Sequence, residues 1–197
     1  VRVRAVTSDE SLNSYFSEDA LLTDGSLAKT LPDRPGKPGS FTAVPSALGK
    51  SIQLNWEQPD SNGAPILLYR VAVKNSNNHI VQQQTTTKTS FNVLDLGYNT
   101  SYSFSITAQN MKGWGSHVLQ SSRTVSLRPD TPTMHTVANH TINSTAMLVS
   151  WDKPVSDGGS TVSGYQVEVK RAGKLVYGAM QVPSSATSVW VVGLQAY

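Results

Sequence analysis

The chain has 197 residues, of which 38% are hydrophobic and 15% are charged, and its net charge is +3. The charged residues form no cluster of one sign, so we expect no nucleic-acid partner. Cysteine is absent, which excludes disulfides, thiolate metal sites and a cysteine nucleophile. No apolar run approaches the roughly 18 residues of a membrane span, so we expect no direct membrane insertion by this segment.

One pattern of residues occurs twice along the chain. Three pairs of equivalent residues define it: Trp56 and Trp151, Tyr69 and Tyr165, Leu96 and Leu194. The separations within these pairs are 95, 96 and 98 residues, a drift that small insertions in loops explain. A repeat of whole modules indicates a protein whose function lies in its surfaces and spacing.

The first segments of the chain are predicted to be the end of one module and a linker. Residues 1–23 begin within an alternating run and are interpreted as the C-terminal strands of a truncated preceding module. Residues 24–38 contain Gly and Pro without periodicity, which is typical of a linker that is extended and fairly stiff in its second half. We expect this linker to pack little, with Leu27 and Leu31 left unburied.

Residues 39–126 are predicted to form one complete module. Ile52, Leu54 and Trp56 lie on one face of a strand, and the same period-two alternation recurs at 69–74 and 102–108. Strands with one wet face are typical of two antiparallel sheets packed through their apolar faces. The alternation therefore predicts an all-β, seven-stranded sandwich.

The rest of the chain repeats this organisation. Residues 127–132 have a composition that matches the earlier linker, and residues 133–197 are predicted to be a truncated module that lacks its last strands. We expect the third strand of that module to be left without one of its sheet neighbours.

The run from Leu96 to Tyr102 resembles the L-x-P-x-T-x-Y corner of fibronectin type III domains, with Gly97 and Tyr98 departing from the usual turn. Residues 108–115 are similar to the A-x-N-x-x-G-x-G ending of that family, and residues 56–69 and 151–165 resemble its second and third strands. The resemblance implies tandem modules with an immunoglobulin-like β-sandwich fold. It also implies that the Tyr102 phenol bonds to nearby backbone.

The alternation and the resemblance together give a set of structural core residues. They are Trp56, Tyr69, Leu96, Tyr102, Trp151, Tyr165 and Leu194. Phe104 and Ile106 are expected in the same core as Trp56 and Tyr69.

No residue set predicts catalysis or binding of a metal or cofactor. Residues 49–51 look like the end of a phosphate-binding loop, but a strand follows where the motif needs a helix. Residues 60–63 resemble the start of a calcium loop, yet the distant bidentate glutamate is missing. His135 and His140 would lie on opposite faces of a strand and could not share a metal ion. We interpret both short motifs as turns and expect no enzyme.

Five residues are candidates for modification or contact. Asn99, Asn139 and Asn143 are in N-x-[ST] sequons, which permit N-glycosylation without establishing it. Trp114 lies in a predicted turn, and alternation places Trp190 on an outer sheet face, so both are candidates for a contact surface.

These features favour a non-enzymatic spacer and interaction segment of a larger cell-surface or secreted protein. Its partners would be other proteins, bound through exposed loops or sheet faces. An intracellular, sarcomere-like giant scaffold is an alternative, since such proteins also string these domains together without disulfides. A third alternative is an accessory module of a receptor or of a secreted carbohydrate-active enzyme.

Overall fold

The computed structural model describes residues 31–135, 145–171 and 173–194. Every regular element in these ranges is a β-strand, which confirms the all-β prediction. The strands expected in residues 1–23, the residue Leu27, and the sequons at Asn139 and Asn143 lie outside the described residues.

The first module has seven strands in two antiparallel sheets, as its alternation predicts. The strands are β1 (Gly39–Pro45), β2 (Ile52–Glu57), β3 (Leu68–Lys74), β4 (Ile80–Thr86), β5 (Ser90–Val93), β6 (Ser101–Asn110) and β7 (Gly113–Arg123). One sheet has the order β1-β2-β5 and the other the order β4-β3-β6-β7. The core lies between the two sheets.

Alternate side chains of the inner strands fill this core. Trp56, Tyr69 and Leu96 are buried, and Phe104 and Ile106 are completely inaccessible to solvent. The rings of Trp56 and Tyr69 meet edge to face with 5.4 Å between their centroids, a geometry that aromatic pairs favour. Burial raises the pKa of the Tyr69 phenol, because its anion would lose hydration there.

The second module repeats the inner strands of the first. Its strands are β8 (Thr133–Met134), β9 (Ala146–Asp152), β10 (Gly164–Arg171), β11 (Lys174–Pro183) and β12 (Ser188–Val192). The strand orders are β12-β9-β8 and β10-β11. Trp151 and Tyr165 are buried with ring centroids 5.2 Å apart, and Leu194 is half-buried against their cluster.

The two modules differ beside β10. In the first module, β3 pairs with β4 on one edge and with β6 on the other, so that Val71 lies opposite Ile106. Within the described residues, β10 pairs with β11 alone. A cavity of about 500 Å³ lies at this place and is lined by Trp151, Tyr165 and Val167. Tyr165 and Val167 are the counterparts of Tyr69 and Val71, which lie on β3 beside β6 in the first module.

The segment before β1 packs more closely than its composition predicts. Leu31 is 89% exposed, as expected of a linker, but Pro35 and Pro38 are buried. Asp33 donates its backbone N–H to the carbonyl of Asn62 at 2.9 Å, and three further hydrogen bonds tie this segment to the module. The expectation of little packing was wrong for residues 32–38, because backbone N–H and carbonyl groups of this segment form hydrogen bonds with the turn after β2.

A pair of matched substitutions tests the core. Leu54→Ala should lower the free energy of unfolding of the first module by about 2–5 kcal/mol, because Leu54 is fully buried and the change leaves a cavity. Leu119→Ala, at a site that is 60% exposed, should change it by about 0.5 kcal/mol or less. Urea titration followed by NMR signals of that module measures both. Equal losses for the two variants would contradict this core.

Candidate interaction site at the joint between the modules

The site begins at the corner before β6. Gly97 donates its N–H to the Tyr102 hydroxyl oxygen at 3.0 Å, so the Tyr102 phenol bonds to backbone as the family resemblance implies. The Thr124 hydroxyl donates to the Gly97 carbonyl at 2.6 Å. These bonds join the corner to the end of β7 and give it a fixed backbone.

Asn99 stands at the tip of this corner, in the left-handed region with a φ of 48°. Asparagine tolerates that conformation better than most residues. The Asn99 N–H donates to the Val125 carbonyl at 3.2 Å, and Arg123 Nε donates to the Asn99 carbonyl at 3.1 Å. The backbone of Asn99 is therefore held from both sides, which fixes the direction of its Cα–Cβ bond.

The second module presents the turn between β9 and β10 to this corner. Gly158 and Gly159 have φ values of 67° and 82°, which glycine adopts without strain. Asp157 Oδ1 accepts the N–H of Gly159 at 2.8 Å, so the carboxylate stabilises the turn. The carbonyls of both glycines are then presented to the first module.

Two hydrogen bonds close the joint. Asn99 Nδ2 donates to the Gly159 carbonyl at 2.7 Å, and this bond is partly buried. The backbone N–H of Leu127 donates to the Gly158 carbonyl at 2.9 Å. The first bond joins the body of one module directly to the other, whereas the second fastens the connecting segment.

The joint is too tight for side chains at its glycines. A β-carbon on Gly159 would lie 2.7 Å from Tyr98 Cβ and 2.8 Å from Asn99 Cβ. Within the first module, a β-carbon on Gly49 would lie 2.6 Å from the Cδ1 atom of the Tyr98 ring. Lys50 Nζ lies 4.8 Å from the centroid of the same ring, a cation–π contact. Tyr98 thus packs between the two modules.

The connecting segments are attached in the same way at both modules. Asp33 and Gly36, three residues apart, donate their N–H groups to the carbonyls of Asn62 and Asp60. After the first module, Leu127 and Asp130 donate likewise to Gly158 and Ser156. At both modules the two donors are three residues apart and the two acceptors are two residues apart. The acceptors lie in the turn between the second and third strands of the module that follows the connecting segment.

The two candidate contact tryptophans have different surroundings. Trp114 lies in β7 and not in the turn that the sequence predicts, because the pairing with β6 begins at Gly113. The Arg70 guanidinium of β3 lies 4.5 Å from the centroid of its half-buried ring, so the ring packs on the same sheet two strands away. Trp190 is 51% exposed and Val192 is 57% exposed. Trp190 lies opposite the half-buried Leu148 on the outer face of its sheet.

The same positions are polar in the first module. Asn92 and Gln53 are the cross-strand pair that corresponds to Trp190 and Leu148. At this cross-strand pair the second module is therefore apolar where the first is polar.

The short motifs form turns, as their interpretation requires. Gly49 has a φ of 82° and donates its N–H to the Ser46 carbonyl at 3.0 Å. In the second motif, Asp60 Oδ1 accepts the N–H of Asn62 at 2.9 Å. His135 Nε2 lies 3.0 Å from Asp152 Oδ2, and both side chains are exposed. No cluster of three or more His, Asp or Glu side chains in the described ranges could hold a metal ion. No helix in these ranges is long and apolar enough to cross a membrane.

Sequence reasoning did not find the contact between Asn99 and Gly159. One signal for it was available, since the separation of equivalent residues grows from 95 at the tryptophans to 96 at the tyrosines. The additional residue lies in the turn after β9, beside Gly158. This residue lengthens the turn at the place where the turn contacts Tyr98 and Asn99.

This geometry defines a tandem of antiparallel β-sandwich modules joined end to end. The family model described as "Fibronectin type III domain" matches residues 36–124 and 130–197. The chain therefore belongs to the fibronectin type III domain family, as its motifs predict.

Several known proteins are similar to the chain. It is 33% identical over 142 residues to the titin homolog of Caenorhabditis elegans, which covers 68% of this chain and 1% of that protein. It is 30% identical over 150 residues to protein sidekick-2 of Gallus gallus, with 73% and 7% covered. It is 27% identical over 163 residues to the striated-muscle M-protein of Gallus gallus, with 79% and 11% covered.

Among solved structures, a segment of two fibronectin type III domains from chicken tenascin superposes with a TM-score of 0.48 at 20% identity, covering 83% of this chain and 85% of that one. The chain spans 1% to 11% of the length of the three curated relatives. The family and these relatives fit a non-enzymatic structural and interaction role.

Gly159→Ala tests the joint. The added methyl group should force Tyr98 and Asn99 away from the turn and open the joint, because contacts of 2.7 and 2.8 Å are too short for carbon atoms. The chain has no cysteine, so spin labels can be placed at Ser76→Cys and Ser185→Cys, two exposed turn positions in different modules. Pulsed electron paramagnetic resonance should show a broader distribution of the distance between the labels.

Gly173→Ala is the matched control for this prediction. Gly173 has a φ of 78°, close to the 82° of Gly159, but a β-carbon there would meet no atom within 4 Å. Both variants have the same backbone strain, and only one has the clash. A distribution that broadens equally in both variants would show that the Gly159 contact does not close the joint.

Proposed function

We propose that this segment is a spacer that holds neighbouring modules in a fixed relation and offers their outer faces to other proteins. The observation that supports it most directly is the hydrogen bond of 2.7 Å between Asn99 Nδ2 and the Gly159 carbonyl. If the two modules moved independently of one another, a partly buried hydrogen bond between them would not be maintained. The attachment of residues 33–36 to the first module extends the same principle to the preceding connection.

Protein partners would bind outside the joint. The outer face with Trp190, Leu148 and Val192 surrounds an exposed tryptophan with aliphatic side chains, and tryptophan is enriched at the centres of interfaces. The polar pair of Asn92 and Gln53 makes the corresponding face of the first module a poorer surface of this kind. The two modules would therefore have different tasks, one of them as a contact module.

We further propose that the parent protein is secreted or located at the cell surface. The sequons at Asn139 and Asn143 are compatible with this location, although sequons are frequent by chance in a chain rich in Ser and Thr. A second candidate is an intracellular scaffold. The similarity to the titin homolog and to the striated-muscle M-protein favours it.

Residual dipolar couplings test the spacer function. If the joint is fixed, the couplings of residues 39–126 and of the described residues after 132 should fit one alignment tensor. Two tensors of clearly different magnitude would show that the modules reorient independently and would overturn the proposal. The measurement needs no knowledge of the partner.

Mass spectrometry of the native protein tests its location. Glycan on Asn139 or Asn143 is expected if the protein passes through the secretory pathway, because N-glycosylation occurs there. Unmodified asparagine at both positions, in protein purified from muscle cytoplasm, would instead establish the intracellular scaffold. The two results exclude one another.

A further inference from the structure

We propose that Asn99 is the lock of the joint, and that an N-glycan on its amide and the closed joint exclude one another. Asn99 is the acceptor position of the sequon formed by residues 99–101. The nitrogen atom that would bond to the sugar is Asn99 Nδ2, which donates to the Gly159 carbonyl at 2.7 Å. A glycan would replace one of the two hydrogens of this nitrogen, inside a contact that is already partly buried.

The lock depends on the rigidity of the corner that carries it. The φ of 48° at Asn99 and the bonds of its backbone to Val125 and Arg123 fix the direction of its Cα–Cβ bond. Thr100 adds to this, because its N–H donates to the Thr124 hydroxyl at 2.9 Å and its hydroxyl to the Tyr98 carbonyl at 2.7 Å. The backbone of the corner is therefore already ordered when the amide meets Gly159, which lowers the conformational entropy that opposes the bond.

Space in the joint makes the two states exclusive. A sugar on Asn99 Nδ2 would start from an atom only 2.7 Å from the Gly159 carbonyl, and the turn is already so close that a β-carbon on Gly159 would lie 2.8 Å from Asn99 Cβ. A pyranose ring on Nδ2 is several times larger. It would displace the turn at Gly158 and Gly159 and with it the second module, so modification at Asn99 would produce an open joint.

The lock itself is independent of where the protein is located, whereas the glycan step rests on the proposed secretion. Two experiments separate these parts. Both use the spin labels at positions 76 and 185 in the full chain, and both include thermal unfolding of each module. A residue that only stabilises its module would change the unfolding temperature, whereas a positioning residue changes the distance between the labels.

The first experiment replaces the donor. Asn99→Asp puts a carboxylate opposite the Gly159 carbonyl, and we expect the ratio of open to closed joint to rise roughly two- to tenfold, the effect of losing one net hydrogen bond. Asn78→Asp is the matched control, because Asn78 has a similar φ of 63° and lies in an exposed turn. Unfolding temperatures should fall equally in both variants. If Asn99→Asp keeps the narrow distribution of the unsubstituted chain, the lock is refuted.

The second experiment compares glycoforms. Secreted protein with Asn139→Gln and Asn143→Gln leaves one sequon, and lectin chromatography separates the chains with glycan on Asn99 from those without it. We expect a broad distance distribution in the occupied fraction and a narrow one in the unoccupied fraction. Identical narrow distributions would refute the exclusion.

Two further variants make every result of this comparison decisive. Ser101→Ala removes the sequon but keeps the amide, and should give the narrow distribution. If no chain with glycan on Asn99 forms, Gly159→Ala should allow glycan to be attached there, because this variant opens the joint. Continued absence of glycan on Asn99 in that variant would refute the exclusion. A broad distribution in the unsubstituted, unglycosylated chain would refute the spacer function itself and is thereby distinguished from failure of the lock.

Discussion

The apolar layer between the two sheets is the constraint on which the rest of this protein depends. Trp56, Tyr69 and Ile106 reach it from three strands, and each strand can satisfy it only by alternating buried and exposed side chains. This layer fixes the register of the strands, because a slip by one residue would turn the buried set towards water. The ends of the strands, and so the turns, are consequently placed to within a residue.

Fixed turns make a joint between modules physically feasible. A hydrogen bond between two bodies stabilises their arrangement only if both groups are already oriented, since ordering them would otherwise cost as much as the bond contributes. Here Tyr102 and Thr124 hold the corner of one module, and Asp157 holds the glycine turn of the other. The bond between Asn99 and Gly159 thus uses order that the two sandwiches have already established.

The joint also depends on glycine residues that have no part in either core. Glycine at 49, 158 and 159 removes side chains where backbone and the Tyr98 ring approach closely. Adding bulk at Gly159 would separate the modules, although each sandwich would keep its core. Orientation between modules and stability within them are therefore controlled by different residues, which lets a chain of similar modules differ in shape. Trp190 and Asn92 are at equivalent positions of the two modules, so the outer faces also differ while the cores stay similar.

The sequence by itself determined the sandwich, its repeat and the aromatic residues of both cores, because period-two burial leaves a direct trace in residue type. It also located the corner of Tyr102 through the resemblance to a known family. Only the tertiary structure decided that Pro35 is buried and that Asn99 contacts Gly159. Such contacts join backbone groups and polar side chains of separate segments, and neither hydropathy nor spacing along the chain records which donor meets which acceptor. Their geometry exists only after both modules have folded.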